Sequence, residues 1–410
     1  MRATYPNAAP TVAAGRSGAL VFSTLVLCAA FGEVSTGLLV PAMPLLGKIY
    51  HRPPETVQLT IASFAIMFAI GQLFFGPFSD RRGRRTALLI GAALASVGSM
   101  TAATAVSIAM IVAGRAIQGL GAAAGYVVAR AIVRDIYGPE GSAKAMASLF
   151  ALMAASFMTA PLVGGALLEL ATWRAGFVLA SIGAVIWLAS TIFVMPETRT
   201  TAPAAEAQAI GSAYLGLLRN RSFLAFMITH SIAYAGLYCF VAGAPYYFIK
   251  SLGMKPSTYG LIAAIAMSGF LAGSTAARYA IPRWGIQRVI LVSLSVMICA
   301  PAMLLGLTPL GWTPAPIVVA IEFGYWFGGG FLAPNTAAGV MMSHPKAAGA
   351  AAAVLGFVQM CAAAGVASIQ GLIYNGSLYP IIGTQILLSA AAWMIWGGLK
   401  RHTLRAVVER

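Results

Sequence analysis

Charge is what this sequence has least of. Only 9% of its 410 residues are Asp, Glu, Lys or Arg, and Asp and Glu together number 10. A soluble globular domain carries about 25% charged residues, so a soluble chain is excluded. Cysteine is scarce too: Cys28, Cys239, Cys299 and Cys361 lie far apart in apolar stretches, with no CxxC spacing. Neither a disulfide framework nor a metal centre follows from them, and free cysteine in such runs acts as a small buried hydrophobe. There is no HExxH, no nucleophile–base set and no nucleotide-binding loop, so the sequence predicts no enzyme, no metal and no cofactor.

What is present is apolar. Hydrophobic residues make up 60% of the chain, and mean hydropathy is +0.85. A membrane helix needs roughly 20 apolar residues. The apolar stretches here are long and continuous rather than alternating, which argues against an outer-membrane barrel. The first, from about Gly18 to Val40 behind Arg2 and Arg16, is too long for a signal peptide and reads as a span. Charges and Pro/Gly turns divide the chain into twelve spans, near 18–40, 57–78, 86–105, 107–130, 144–168, 173–195, 222–244, 258–280, 288–307, 315–340, 348–373 and 376–398. The net charge of +16 suits topology rather than nucleic acid, since basic residues collect in cytoplasmic loops. With the N-terminus inside, Lys48, Arg52, Arg174, Lys250 and Lys255 fall outside and Arg115 within a span. The other 20 of the 26 basic residues fall inside, which places both termini in the cytoplasm.

The longest loop, 196–221, is rich in Ala and Thr and holds Pro203 and Glu206. It divides an N-terminal bundle of six helices, 1–195, from a C-terminal one, 222–410. Gly83 and Gly285 occupy matching loops of the two halves, as do Gly141 and Gly349. This supports an internal repeat.

Four motifs carry a resemblance. Gly76-Pro77-Phe78-Ser79-Asp80-Arg81-Arg82-Gly83-Arg84-Arg85 fits GxxxDRxGRR in the loop after span 2. Arg115-Ala116-Ile117-Gln118-Gly119-Leu120-Gly121-Ala122-Ala123 fits RxxQGxGAA in span 4. Ser156 through Pro161 to Gly164-Gly165 approximates GxxxGPxxGG in span 5, with Ser and Ala for two glycines. Pro334-Asn335, Leu355-Gly356-Phe357, Gln359 and Trp173-Arg174-Ala175-Gly176-Phe177 complete the set. Together they resemble the twelve-span drug:proton antiporters of the major facilitator superfamily, of the bicyclomycin-resistance/chloramphenicol-exporter (Bcr/CflA) type. In that type an acid often precedes Pro-Ala-x-Pro in span 1. Here Pro41-Ala42-Met43-Pro44 is present, but Gly37 stands at the acid's place and Glu33 lies one turn earlier. That placement is more similar to MdfA-type exporters.

The resemblance implies an all-α polytopic membrane protein, with two pseudo-symmetric six-helix bundles around a central cavity lined by spans 1, 4, 7 and 10. It implies a monomer of the bacterial inner membrane whose partners are lipid, protons and a drug-like molecule, with multidrug efflux and antibiotic resistance as the outcome. The alternative is a proton-linked carrier of one metabolite, such as a sugar or nucleoside.

A charge at mid-bilayer costs about 2.5–3.5 kcal/mol even on the lenient insertion scale, so Glu33, Arg115 and Glu322 are the proton-coupling candidates. All three are expected at similar depth around the one cavity. Glu33 is either the proton acceptor or a fixed ion-pair partner of Arg115. Arg115, which does not deprotonate, either tunes a nearby carboxylate or packs on carbonyls. Glu322 is a second proton site, a counter-ion of Arg115, or a wetted rim residue. Glu169 reads as interfacial.

At the loop after span 2, Gly76 allows close helix approach and Gly83 a tight turn. The resemblance implies a cytoplasmic gate in which Asp80, among Arg81, Arg84 and their neighbours, meets the start of span 11 near Gly349 and Arg130 or Arg134. The alternative is a cluster that only fixes topology. Pro161, Gly164 and Gly165 would soften span 5 or simply pack. Tyr126, Tyr234, Tyr238 and Tyr325 are the expected substrate-binding side chains, with helix packing as the alternative for each. Trp173, Tyr246 and Tyr247 are expected in the outer aromatic belt.

Overall fold

Glycine, proline and a few polar caps set the ends of the helices. The computed structural model describes residues 16–199, 216–343 and 348–408. Most of the expected linker, 200–215, lies outside the described residues. Helices long and apolar enough to cross a bilayer run in chain order as α1 (Gly18–Ile49), α2 (Pro54–Arg82), α3 (Arg84–Ala103), α4 (Ile108–Gly138), α5 (Lys144–Leu170), α6 (Arg174–Phe193) and α7 (Arg221–Ser251). After the stretch Pro256–Leu310 come α10 (Ala315–Met342), α11 (Gly349–Ile373) and α12 (Tyr379–Gly398).

Pro256–Leu310 holds 55 residues. As one helix it would be about 80 Å long at 1.5 Å per residue, far more than the roughly 30 Å of bilayer hydrocarbon. It breaks at Gly285, where φ is 69° and ψ 158°. That gives α8 (256–284) and α9 (286–310), and twelve crossings among the described residues. Gly83, with φ 103°, makes the matching turn between α2 and α3. Gly138 (φ 62°) separates α4 from α5. Each left-handed turn suits a residue without Cβ.

Local chemistry explains other boundaries. Pro54 and Pro256 open α2 and α8, where a missing N–H costs nothing. Ser107 caps α4 by accepting from Met110 N. Asn220 Oδ1 accepts from the N–H groups of Ser222 and Phe223 and starts α7. Pro41 sits in a 3-10 turn, Val40–Ala42, that interrupts α1.

The helices form two halves, α1–α6 and α7–α12, joined chiefly by α2 on α11 and α5 on α8. The periphery is apolar. Val178, Ile182, Val185 and Ile186 on α6 are all exposed and share one helix face. In water such a face would be an aggregation hazard; in lipid it is the required surface. Trp173 (6% exposed) and Tyr246 (2%) are not belt residues. Trp173 packs edge-on to Tyr50 and Phe177, and Tyr246 packs against Tyr374. Burial against neighbouring rings outweighs the interfacial position that hydropathy suggests.

Candidate functional site

Two tyrosines of α7 stand nearest one carboxylate of α1. Glu33, partly buried on α1, stands within electrostatic reach of the Tyr234 and Tyr238 hydroxyls on α7, and Tyr126 on α4 reaches Tyr234. The two α7 tyrosines lie one turn apart with ring centroids 5.4 Å apart. Tyr126 leans on Phe68 of α2 at 5.5 Å. Among the described residues Glu33 has no ion-pair partner. Gly37, where the acid of related exporters would stand, faces Ala160 and Pro161 of α5. A Cβ there would lie 2.5 Å from the Ala160 side chain, so the packing of α1 on α5 excludes a larger residue at that position.

Arg115 is fully enclosed (0% exposed). Its Nη2 donates to Thr36 Oγ1 at 2.7 Å, Nη1 to Ser35 Oγ at 3.4 Å and to Gln118 Oε1, and Nε to the Thr60 carbonyl at 3.2 Å. Gln118 passes the network to Ser99. The guanidinium also covers the Phe64 ring, 4.1 Å from its centroid. The polar partners are neutral, so the ion pair with Glu33 is not made.

Glu322 does not join this group. It is 2% exposed and accepts from Gln385 Nε2 of α12 at 3.2 Å. It is therefore neither a counter-ion of Arg115 nor a wetted rim residue. Tyr325, on the same face of α10, bonds Ser389 of α12 at 3.1 Å, and its hydroxyl fills the space left by Gly236 of α7. Tyr325 packs inside the second bundle instead of lining the cleft. Rotation of a helix about its axis is set by its neighbours, and the sequence does not report it.

The Arg-rich end is organised within the first half. Arg84 ion-pairs with Asp80 and, at 3.1 Å, with Asp135 of α4. Glu197, just past α6, accepts from the backbone N–H groups of Arg84 and Arg85 at 2.9 and 3.2 Å and so caps α3. Arg85 in turn bonds the last carbonyls of α6, Thr191 and Ile192. Arg199 donates to the Arg81 carbonyl. Gly76 faces Val127 of α4. Arg130 lies over the Tyr126 ring at 4.0 Å and Arg134 is exposed. The expected contact of Asp80 with Gly349 is not made: among the described residues, a Cβ on Gly349 would meet nothing within 4 Å. The α4 partner of this loop is Asp135 in place of Arg130 or Arg134, because Arg84, the cation that turns toward α4, needs an anion.

The opposite end is joined across the halves. Gln58 Nε2 of α2 donates to the Ala242 carbonyl of α7 at 2.7 Å, and Ser257 N of α8 donates to Glu169 Oε1 of α5 at 2.8 Å. Gly165 and Gly260 let α5 and α8 touch backbone to backbone, at Pro256 and Pro161 respectively. These contacts join the two halves at the end away from the arginine loop.

The family model of the Major Facilitator Superfamily matches residues 25–368. The chain belongs to the major facilitator superfamily. It is a multi-pass membrane transporter, not an enzyme. It is similar to the uncharacterised MFS-type transporter YdgK of Bacillus subtilis, 30% identical over 360 residues, covering 85% of this chain and 87% of that protein. It is also similar to multidrug resistance protein D of Escherichia coli, 28% identical over 382 residues, covering 90% and 94%. Among solved structures, a bacterial homologue of the human lysosomal transporter Spinster, inward-facing and unoccupied, superposes with a TM-score of 0.70 at 13% identity, covering 96% of this chain and 97% of that one.

In this facilitator several cleft residues escape a reading by charge alone. His230 of α7 stacks parallel to Tyr234, with centroids 6.3 Å apart. Its Nδ1 meets Thr336 Oγ1 at 2.7 Å and its Nε2 meets Gln359 Oε1 at 2.9 Å, which ties α7 to α10 and α11. The signal was available: His230 lies four residues before Tyr234, on the same helix face. Gln58 and Asp135 carried no such pattern, since their partners are distant in sequence.

Proposed function

We propose that this facilitator exports lipophilic or cationic small molecules across the bacterial inner membrane in exchange for protons, by alternating access. The excess of Lys and Arg supports a cytoplasmic Arg-rich end, and the contacts between the halves at the opposite end suit an inward-facing state. The observation that carries the reading is Glu33: a carboxylate without a cation, set among Tyr126, Tyr234 and Tyr238. Aromatic faces hold apolar and cationic groups, and a carboxylate in low-dielectric surroundings takes up a proton more readily than one in water. Cation and proton compete for Glu33, and that competition is the coupling. Arg115 holds α1, α2 and α4 in register and fixes the field at Tyr238. Asp80 and the loop arginines close the cytoplasmic gate when the halves rock. Both halves of the cleft come from one chain, which works as a monomer. The names of its relatives, multidrug resistance protein D among them, support drug-like cargo.

Inside-out vesicles with an acid interior test this. Adding lipophilic cations one at a time is expected to release protons from wild-type vesicles and not from Glu33→Gln vesicles. Proton release that persists in Glu33→Gln would overturn the role of Glu33. Release driven by sugars or nucleosides alone would overturn the cargo.

A further inference from the structure

Three polar side chains of the second bundle meet beside the cleft, and no step of the antiport cycle uses them. His230 of α7 stacks on Tyr234, which stands within electrostatic reach of Glu33. His230 Nδ1 lies 2.7 Å from Thr336 Oγ1 on α10, and Nε2 lies 2.9 Å from Gln359 Oε1 on α11. His230 and Thr336 are buried, whereas Gln359 is half-buried. A small cavity between α7 and α10 adjoins the histidine and is lined also by Tyr234, Leu237, Gly329 and Leu332.

The distances fix where the protons are. The Thr336 hydroxyl has Nδ1 at 2.7 Å and the Leu332 and Ala333 carbonyls at 3.2 Å each. The carbonyls lie beyond the usual range for a hydroxyl donor, about 2.5–3.0 Å, so the hydroxyl proton goes to Nδ1. In a neutral imidazole one nitrogen accepts and the other carries the proton, so Nε2–H is the donor toward α11. That donor needs an oxygen, so Gln359 turns Oε1 to His230 and its NH2 group away. Among the described residues, Gln359 Nε2 has no partner. His230 thus clamps an amide whose N–H groups are unspent, on a half-buried side chain beside an aromatic wall.

We propose that Gln359, held by His230, is a substrate-recognition residue whose Nε2 donates a hydrogen bond to an oxygen of the cargo. The cargo is then a lipophilic cation that also carries a carbonyl, amide or ether oxygen. Its cationic end sits at Glu33. Its oxygen lies about 6 Å or more away, because His230 is four residues along α7 from Tyr234 at 1.5 Å per residue. His230 is the positioning residue and does not touch the cargo, since both its ring nitrogens are already engaged. A cation without the oxygen would leave the Gln359 N–H groups facing an apolar surface, and an unmet donor out of water weakens binding. The assignment rests on Glu33 as the seat of the cation and adds the second point that selects among cations.

Equilibrium binding to the purified full-length protein in nanodiscs tests this with two probes of similar shape. (4-Acetylbenzyl)triphenylphosphonium carries a carbonyl oxygen, and (4-isopropylbenzyl)triphenylphosphonium has a methyl group in its place. Wild type is expected to bind the acetyl compound about tenfold more tightly, as one well-made hydrogen bond allows. Gln359→Leu is expected to bind the two alike. Should Gln359→Leu fail to fold, Gln359→Glu keeps the bond from His230 but has no N–H to offer, and the preference is expected to vanish there too. His230→Phe keeps a ring on Tyr234 and releases the amide, so the preference is expected to shrink. Loss of both compounds by one common factor in His230→Phe would overturn the positioning role. Equal binding of the two compounds to wild type would overturn the proposal and leave the cation reading standing. A preference that persists in Gln359→Leu or Gln359→Glu would overturn it as well. If wild type binds neither compound, the cation reading fails and the proposal falls with it. If the preference is present and depends on Gln359 but neither compound moves protons in vesicles, the antiport reading fails and the recognition site stands.

Discussion

Glu169 Oε1 at the end of α5 accepts a 2.8 Å hydrogen bond from the backbone N–H of Ser257, in the first turn of α8. A carboxylate of one half thereby caps a helix of the other, where the helix dipole favours negative charge. With Gln58 on the Ala242 carbonyl, it holds the end opposite the arginine loop shut. Glu169→Gln keeps an acceptor but loses the charge, and Glu169→Ala loses both. Spin-label distances across that end should shift toward the open state in the order Ala, then Gln, then wild type. Equal distributions in all three would show that the cap does not set the equilibrium.

The paired glycines of α5 have separate tasks. A Cβ on Gly164 would lie 2.6 Å from the Leu38 carbonyl of α1, inside the first half. One on Gly165 would lie 2.7 Å from the Pro256 carbonyl carbon of α8, across the halves. Gly164→Val should lower the melting temperature of the purified protein. Gly165→Val should leave melting nearly unchanged, keep the far end from closing and cut transport at least tenfold. Similar melting losses in both would refute the division.

Arg115 grips its neutral partners with a planar fork that lysine cannot reproduce. Hydrogen bonds to charged groups contribute about 1.5–3 kcal/mol each. Arg115→Lys forfeits at least one of the contacts to Thr36, Ser35 and the Thr60 carbonyl. Chemical or thermal unfolding should show a loss of about 2 kcal/mol or more, with no rescue by Glu33→Gln, since the two charges are not paired. A rescue would mean that the ion pair forms after all.

Asp80 and Asp135 share Arg84 at the loop surface, where an exposed ion pair is worth only about 0–1 kcal/mol. Asp80→Asn should therefore hardly affect stability. On the proposed gating role it should slow turnover severalfold, with equilibrium drug binding unchanged. Drug binding that weakens in step with turnover would move Asp80 from gate to cleft.

The sequence alone determined the class of molecule. Sparse charge, twelve apolar runs and one-sided basic loops leave few folds that satisfy the backbone in lipid. Gly83 and Gly285 announce their turns because only a residue without Cβ adopts those angles readily. Glu33 and Arg115 are conspicuous because charge in an apolar run is costly. The tertiary structure decided which charges meet. The three charged groups separate into a partly buried carboxylate near the α7 tyrosines, a cation wrapped in hydroxyls and amides, and a carboxylate turned toward α12. Helix rotation made that division, and it follows from packing between segments distant in the chain. The same holds for Asp135, Gln58 and Glu197, whose partners lie more than fifty residues away. A periodic pattern reports one helix's own faces, but which neighbour each face meets depends on how all twelve pack.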